Sequence, residues 1–371
     1  MATDKLGLYV HIPYCVRKCN YCDFCSLPNG RSEVPQSYVD ALCNEIASYR
    51  SDRRSVLDTV YFGGGTPSLL SPGQVESIVT VIRDTFEFSE FIEMTFEANP
   101  GTVTEEKAEA FRSLGFNRVS LGLQSIHENE MKTLGRIHNY DDFVFSFNLL
   151  RKAGFDNINV DLMYGIPHQT LDSFTQTLST LIALSPDHIS AYGLILEEGT
   201  PMWSMKDDLP IPTTDEECDM YDVCRRMLKA AGYEHYEISN YAKAGQRSRH
   251  NLLYWNFDEY IGVGAAAHSY YKGVRSYNTE DVTMYVSSPE SSKACVEDID
   301  LPFEYAMLGL RLIDGFSLSD YKARFGVSFT DGKEEVLSRL ESEGLLTLGS
   351  DRIALTERGF YLSNSILVEI L

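Results

Sequence analysis

The sequence predicts an α/β fold: a partial (β/α)6 TIM-like barrel with a small C-terminal winged-helix-like α+β domain. Three observations carry this expectation. Short apolar runs alternate with helical patterns from Leu8 to Leu194, the signature of βαβ units around a parallel sheet. The six apolar runs in that stretch suit a sheet that closes partly on itself. Beyond about Asp215 the alternation gives way to an aromatic-rich stretch, then to short helices and a two-strand ribbon.

Element by element, residues 8–12 read as the first strand, followed by a Cys-rich loop and a helix over 36–49. The second strand, 57–62, ends in Gly63-Gly64-Gly65, and Ser71 stands as the cap of a helix over 72–86. The third strand is 92–97. Thr104 is placed to cap the next helix, although Lys107 occupies the position where a capping box needs Glu or Gln. Residues 118–123, 157–163 and 188–194 are the remaining strands, separated by helices over 141–153 and 171–184. A helix over 216–231 precedes the aromatic-rich run 233–277, which holds several short strand-like runs, and a polar connector to residue 300. The ribbon is expected at 345–348 and 353–356, before a final helix. The chain thus divides into a barrel (1–235), an extension and connector (236–300) and a C-terminal domain (301–371).

Hydrophobic residues make up 43% of the 371 and charged residues 23%, so a sizeable core is available. The net charge of −22 is poorly suited to a nucleic-acid backbone, whose binding rests on many Lys and Arg contacts. A winged helix often suggests DNA, but this one is rich in Asp and Glu, which favours a packing or interaction role. The N-terminus lacks the apolar run of a signal peptide, and no stretch approaches the roughly 20 apolar residues that span a bilayer. A cytoplasmic setting follows as the expectation. Thiols stay reduced there, and clustered cysteines point to metal or catalysis rather than disulfides.

Four of the eight cysteines fall in Cys15-Val16-Arg17-Lys18-Cys19-Asn20-Tyr21-Cys22-Asp23-Phe24-Cys25. The C-x3-C-x2-C core suits a cubane iron–sulfur cluster, which takes its thiolates from one short loop. Three protein ligands leave the fourth iron open to a small molecule. Cys25 leaves a four-thiolate zinc site as an alternative, although zinc usually draws on two separated pairs. A ferredoxin-type cluster has different spacing and a following proline. The isolated Cys43, Cys218, Cys224 and Cys295 read as small buried hydrophobes.

Polar residues recur at later strand ends. Gly63-Gly64-Gly65-Thr66-Pro67 permits close approach of a ligand and is not a Walker loop. Glu97 ends the third strand, Gln124 follows the fourth, Asp161 lies within the fifth, and Arg136 stands in Leu134-Gly135-Arg136-Ile137-His138. Each alone is more often a satisfied structural polar residue. Together they obey the rule that parallel barrels carry their sites at the C-terminal ends of strands. Carboxylates and an amide there suit an amino acid's ammonium and a nucleoside's hydroxyls, and Arg136 suits a carboxylate.

The Cys loop, the Gly-Gly-Gly-Thr-Pro turn and the Gln124, Arg136, Asp161 series resemble the radical S-adenosylmethionine (SAM) superfamily. Within it the chain is similar to the oxygen-independent coproporphyrinogen III oxidase-like family, and most to its heme-chaperone members. The resemblance covers nearly the whole chain. It implies a radical SAM barrel in which Cys15, Cys19 and Cys22 ligate a [4Fe–4S] cluster and Tyr9 and Tyr21 border SAM. Gly64, Gly65 and Thr66 would hold its methionine end with Glu97, and Gln124, Arg136 and Asp161 would complete the pocket. The implied chemistry is reductive cleavage of SAM to a 5′-deoxyadenosyl radical; no side chain is assigned a catalytic step.

Two features favour the chaperone side of that family. Cys15 stands near the chain start, whereas the oxidase carries a longer segment before its cluster, and two residues, not one, separate Cys22 from Cys25. The run His250-Asn251-Leu252-Leu253-Tyr254-Trp255 matches the H-N-x-x-Y-W motif associated with heme binding. Histidine is a good iron ligand, although a His among aromatics is also ordinary core. Arg247 and Arg249 beside it are candidates for anionic propionates. Three functions compete: heme trafficking to a respiratory acceptor, radical decarboxylation of coproporphyrinogen III, and a zinc-stabilised interaction protein. The expected partners are heme or a porphyrin, a heme-acceptor protein and an electron donor such as flavodoxin or ferredoxin, with no nucleic acid. Peripheral membrane contact and homodimerisation are left open.

Overall fold

The computed structural model describes residues 5–30, 32–51, 53–289 and 295–371. Residues 1–4, part of the stretch read for a leader, the middle of the predicted connector and the Cys295 side chain lie outside the described residues.

Six parallel strands form the barrel: β1 (Leu6–Ile12), β2 (Val56–Gly64), β3 (Glu87–Ala98), β4 (Arg118–Gln124), β5 (Asn157–Tyr164) and β6 (His188–Gly193). They lie side by side in chain order. Between them run α1 (Gln36–Ser48), α2 (Pro72–Thr85), α3 (Glu105–Ser113), α4 (Glu128–Thr133), α5 (Tyr140–Lys152) and α6 (Leu171–Leu184). Ser71 and Gln74 form a reciprocal capping box at α2. Thr104 Oγ1 accepts the Lys107 N–H at 3.3 Å, a one-sided cap, as a lysine at that position dictates.

The period-2 alternation of strands separates two environments. Leu8, Val10, Ile12, Val60, Phe62, Val119, Leu121 and Leu123 are sealed in the main core with the helices. Each such burial contributes roughly 1.5–3 kcal/mol. The intervening positions, among them Tyr9, Tyr61, Glu97, Ser120, Asp161 and Tyr192, turn into the barrel and are mostly polar.

After α7 (Pro201–Ser204) and α8 (Thr214–Ala230), the aromatic-rich region adds strands to both edges of the same sheet. β7 (Glu234–Glu237) and β8 (Asn240–Ala242) extend it antiparallel beyond β6. α9 (Arg249–Trp255) then crosses to the other edge. There β9 (Glu259–Val263) pairs parallel with β1, Leu6 opposite Glu259, as a seventh parallel strand. β10 (His268–Tyr271), β11 (Val274–Tyr277) and β12 (Cys295–Glu297) continue as an antiparallel meander, with α10 (Val282–Ser287) before the last. Among the described residues the twelve-stranded sheet runs β12-β11-β10-β9-β1-β2-β3-β4-β5-β6-β8-β7, its two ends do not pair with each other, and the barrel stays open; the outer edge of β7 is met instead by residues 311–313. The boundary expected near residue 235 therefore divides elements that share one sheet. The several short strands expected within 233–277 are present, but the His250 run between them is helical. Ser248 caps it by accepting the Asn251 N–H, and seven residues are too few for periodicity to reveal a helix.

The C-terminal domain comprises α11 (Leu301–Gly309), β13 (Phe316–Ser317), α12 (Leu318–Phe325), α13 (Glu334–Ser342), β14 (Leu346–Leu348), β15 (Arg352–Leu355), α14 (Glu357–Tyr361) and α15 (Ser363–Ile370). Its sheet is β13-β15-β14, the expected ribbon plus one short strand. Its core gathers Tyr305, Phe316, Tyr321 and Leu337 with Phe257 and Tyr270 of the extension, which ties it to the barrel. Glu334 and Glu335 occupy the first turn of α13, in place of the basic residues a DNA-reading helix presents. Among the described residues no helix is long and apolar enough to cross a membrane.

Candidate functional site

The inward faces of β1–β6 and the Cys loop enclose a cavity of about 570 Å³, within the range of small-molecule sites. Of the residues singled out in the sequence, Cys15, Cys19, Cys22, Tyr9, Tyr21, Gly64, Gly65, Glu97, Gln124, Arg136, Asp161 and His250 all border it. Thr66 does not. It is buried behind the loop, donating to Cys15 Sγ at 3.5 Å and accepting from Asn99 Nδ2 at 2.9 Å.

The Cys loop is anchored through Asn20, whose N–H reaches Leu134 O at 2.9 Å and whose Nδ2 reaches Thr133 O at 3.0 Å. Arg136 Nη1 approaches Cys19 Sγ at 3.6 Å. Burial raises the Cys15 thiol and pushes Cys22 up to about 11, so each stays protonated until a metal's charge holds the thiolate. Cys25 faces elsewhere: its Sγ donates to Glu280 O at 3.4 Å, and its carbonyl shares a 3.0 Å hydrogen bond with His11 Nε2. That separation favours three ligands over four. Among the described residues no three His, Cys, Asp or Glu side chains gather round one point as a single ion requires.

The mouth of the barrel contains features that suit a polar ligand. Gly64 has φ +106°, and a Cβ there would lie 2.4 Å from the His11 ring. A Cβ on Gly65 would lie 2.6 Å from Tyr14 O. Gln124 adopts a left-handed φ of 69° where β4 slips register against β5, a conformation costly for a residue with a side chain. Its Oε1 is buried without a partner, as is Arg136 Nε. Arg136 Nη2 is held by Asn99 Oδ1 at 2.6 Å and Gly122 O at 2.8 Å. Glu97 accepts from the Tyr61 hydroxyl at 2.8 Å and the Gly64 N–H at 3.1 Å. Burial nonetheless lifts its carboxyl to about 7. Asp161 accepts from Ser120 Oγ and from Asn159 Nδ2, the latter at 2.7 Å. Orphaned amide and guanidinium atoms, two adjacent glycines and two carboxylates match the amino, carboxylate and hydroxyl groups of SAM. A three-thiol loop beside them matches an iron–sulfur cluster with an open iron.

His250 lies on the opposite, deeper side, on α9. It is 1% exposed, shares hydrogen bonds with Thr59 through Nδ1 (2.7 Å) and with Tyr254 OH through Nε2 (2.8 Å), and stacks on Tyr61. Burial, then the charge of Arg118, lowers it to about 3, so the ring is neutral. The two arginines expected to meet propionates point away. Arg247 pairs with Glu234 and lies over Tyr236, while Arg249 bonds Phe91 O and approaches Asp58. Their own strand and helix neighbours already supply acceptors.

Sequence reading passed over Tyr61, Asn99, Ser120, Asn159, Tyr192 and Arg118, all of which border the cavity. The signal was present as polar residues at every second position of β2, β4, β5 and β6, but only the register shows that these positions converge.

Residues 9–181 match the Radical SAM superfamily model, and residues 296–362 match the HemN C-terminal domain. The chain is 34% identical to the heme chaperone HemW of Lactococcus lactis, over 98% of this chain and 96% of that one. It is 36% identical to the heme chaperone HemW of Escherichia coli, over 98% and 97%. Among solved structures, coproporphyrinogen III oxidase (HemN) from Escherichia coli, described as a radical SAM enzyme, superposes with TM-score 0.84 at 22% identity, over 99% of this chain and 90% of that one. At that identity the likeness is one of fold.

Proposed function

Because the chain belongs to the heme chaperone HemW family of radical SAM proteins, we propose that it binds heme and passes it to an acceptor protein. A SAM-binding [4Fe–4S] centre would sit in the same barrel. The observation that carries this reading is the nearly end-to-end match to the chaperones at 34% and 36% identity.

Cys15, Cys19 and Cys22 are the cluster ligands in this reading, and Cys25 is not. When bound, the cluster and SAM together supply one-electron reductive chemistry, fed by an external electron donor. The chain's part is to seat the ligand. Gly64 and Gly65 give the backbone room, Glu97 and Gln124 accept from the amino group, Arg136 faces the carboxylate, and Asp161 takes the ribose hydroxyls. His250 is the proposed heme ligand through Nε2. Its neutrality suits it for iron, and Thr59 on Nδ1 fixes the tautomer, as outer partners of metal-bound histidines do. Iron must displace the Tyr254 hydroxyl to bind there.

Hemin titration of anaerobically reconstituted protein tests this. His250→Ala is expected to lose the histidine-ligated absorption band, and Tyr254→Phe to tighten binding by freeing Nε2. Bound heme should then move to an apo-acceptor. An unchanged spectrum in His250→Ala removes the ligand assignment. Robust anaerobic conversion of coproporphyrinogen III to protoporphyrinogen and carbon dioxide overturns the chaperone reading.

A further inference from the structure

The structure assigns a carboxylate-binding subsite to the deep end of the barrel, centred on Arg118. Arg118 is the largest fully buried side chain, 2% exposed, and it borders the cavity. It stands on the inner face of β4, level with Thr95 and Asn157. Gln124 lies six residues further along, roughly 20 Å of strand. The subsite is therefore at the other end of the cavity from the Cys loop.

The guanidinium makes no close ion pair among the described residues, although its charge is felt by Glu97. Its Nε is sealed without a partner. The carboxylates of the same wall are already used. Glu93 accepts the Arg249 and His250 N–H groups, each at 3.0 Å. Glu97 is held by Tyr61 and Gly64, and Asp161 by Ser120 and Asn159.

Among the described residues the hydrogen-bond chain of the neighbouring side chains makes no bond to the arginine and ends on Asp161. Ser248 N–H donates to Tyr236 OH, which meets His188 Nε2 at 2.7 Å; His188 Nδ1 meets Asn159 Oδ1 at 2.6 Å; and Asn159 Nδ2 donates to Ser120 Oγ. Both nearby imidazoles, His188 and His250, are kept neutral by burial and then by Arg118 itself. A buried cation whose neighbouring carboxylates are bonded elsewhere is costly, and an anion brought by a ligand lowers that cost.

The planar fork matches a carboxylate, and the Asn240 and Asn251 amides border the same cavity. A single positive charge among Tyr61 and Tyr254 suits a singly charged group better than a phosphate. Resting on the proposed function, the ligand arm is a porphyrin propionate. The subsite itself requires only a carboxylate on an arm that reaches below SAM.

The test uses cluster-loaded full-length protein without oxygen. Thermal unfolding is followed against sodium propionate, with sodium chloride holding ionic strength constant. Wild type is expected to rise in Tm with propionate, Arg118→Gln to show no rise, and Arg118→Lys to keep part of it. Arg118→Gln should also fold with an equal or higher ligand-free Tm, because an unpaired charge has been removed, and should bind SAM as wild type does. No rise in wild type, or equal rises in wild type and Arg118→Gln, overturns the subsite. A second arm compares a porphyrin diacid with its dimethyl ester. Wild type should favour the diacid by about 10- to 100-fold, and Arg118→Gln should lose that preference. If the propionate effect depends on Arg118 but diacid and diester bind alike, the carboxylate subsite stands and its porphyrin occupant is wrong.

Discussion

Glu97 shows how one residue records the purpose of its surroundings. Its carboxyl is raised from 4.5 to about 7, chiefly by burial. The folded state thus holds a proton that the unfolded chain releases, so the associated stability is full below about 4.5 and is lost as pH rises through about 7. At about 1.4 kcal/mol per unit the displacement is worth about 3 kcal/mol. Glu97→Gln is expected to flatten that part of the stability curve, so its advantage over wild type in urea unfolding grows between about pH 5 and pH 8. It should also weaken SAM binding, as seen by equilibrium dialysis. A pH-independent difference would show that Glu97 is fully hydrated instead. At this scale much was legible. The Cys spacing, Gln124, Arg136 and Asp161 stood out because their types are unusual at strand ends. Arg118 and Tyr61 did not, because an Arg or Tyr at a strand start or within it is ordinary until the register turns it inward.

Elements position these residues through a few backbone departures. The slip between Gly122 and Gln124 ends β4 with the Gln124 side chain turned into the mouth. The Gly64 conformation lets β2 turn beneath the Cys loop against the His11 ring. Gly64→Ala is expected to destabilise by about 2 kcal/mol or more, combining left-handed strain with overlap. The check is a lower urea midpoint with unchanged slope, together with lost SAM binding. An unaltered midpoint would mean that the turn relaxes freely. The alternating strands and long helices were readable from periodicity, and Thr104 behaved as its neighbour Lys107 implied. The short α9 was not, since its aromatics fit a strand equally well and only the Ser248 cap and tertiary contacts decide. The pairing of β9 with β1 was beyond any local signal, because it joins residues about 250 positions apart.

At the scale of the molecule, one open sheet carries both halves of the proposed function. The Cys loop lies at one end of the cavity, and His250 and Arg118 lie toward the other, inside a chain whose net charge is −22. The cavity balances basic and acidic side chains, so an anionic ligand is held by the placement of Arg118 rather than by a general field. The C-terminal domain is bound to this frame through Phe257 and Tyr270. The most direct measurement is electron paramagnetic resonance of the reduced, oxygen-free, reconstituted protein before and after SAM is added. Wild type and Cys25→Ser should both show a [4Fe–4S] signal that shifts with SAM, and Cys22→Ser should show none. A wild-type signal that SAM leaves unchanged, or a cluster lost on replacing Cys25, would contradict a three-thiolate cluster with one open iron.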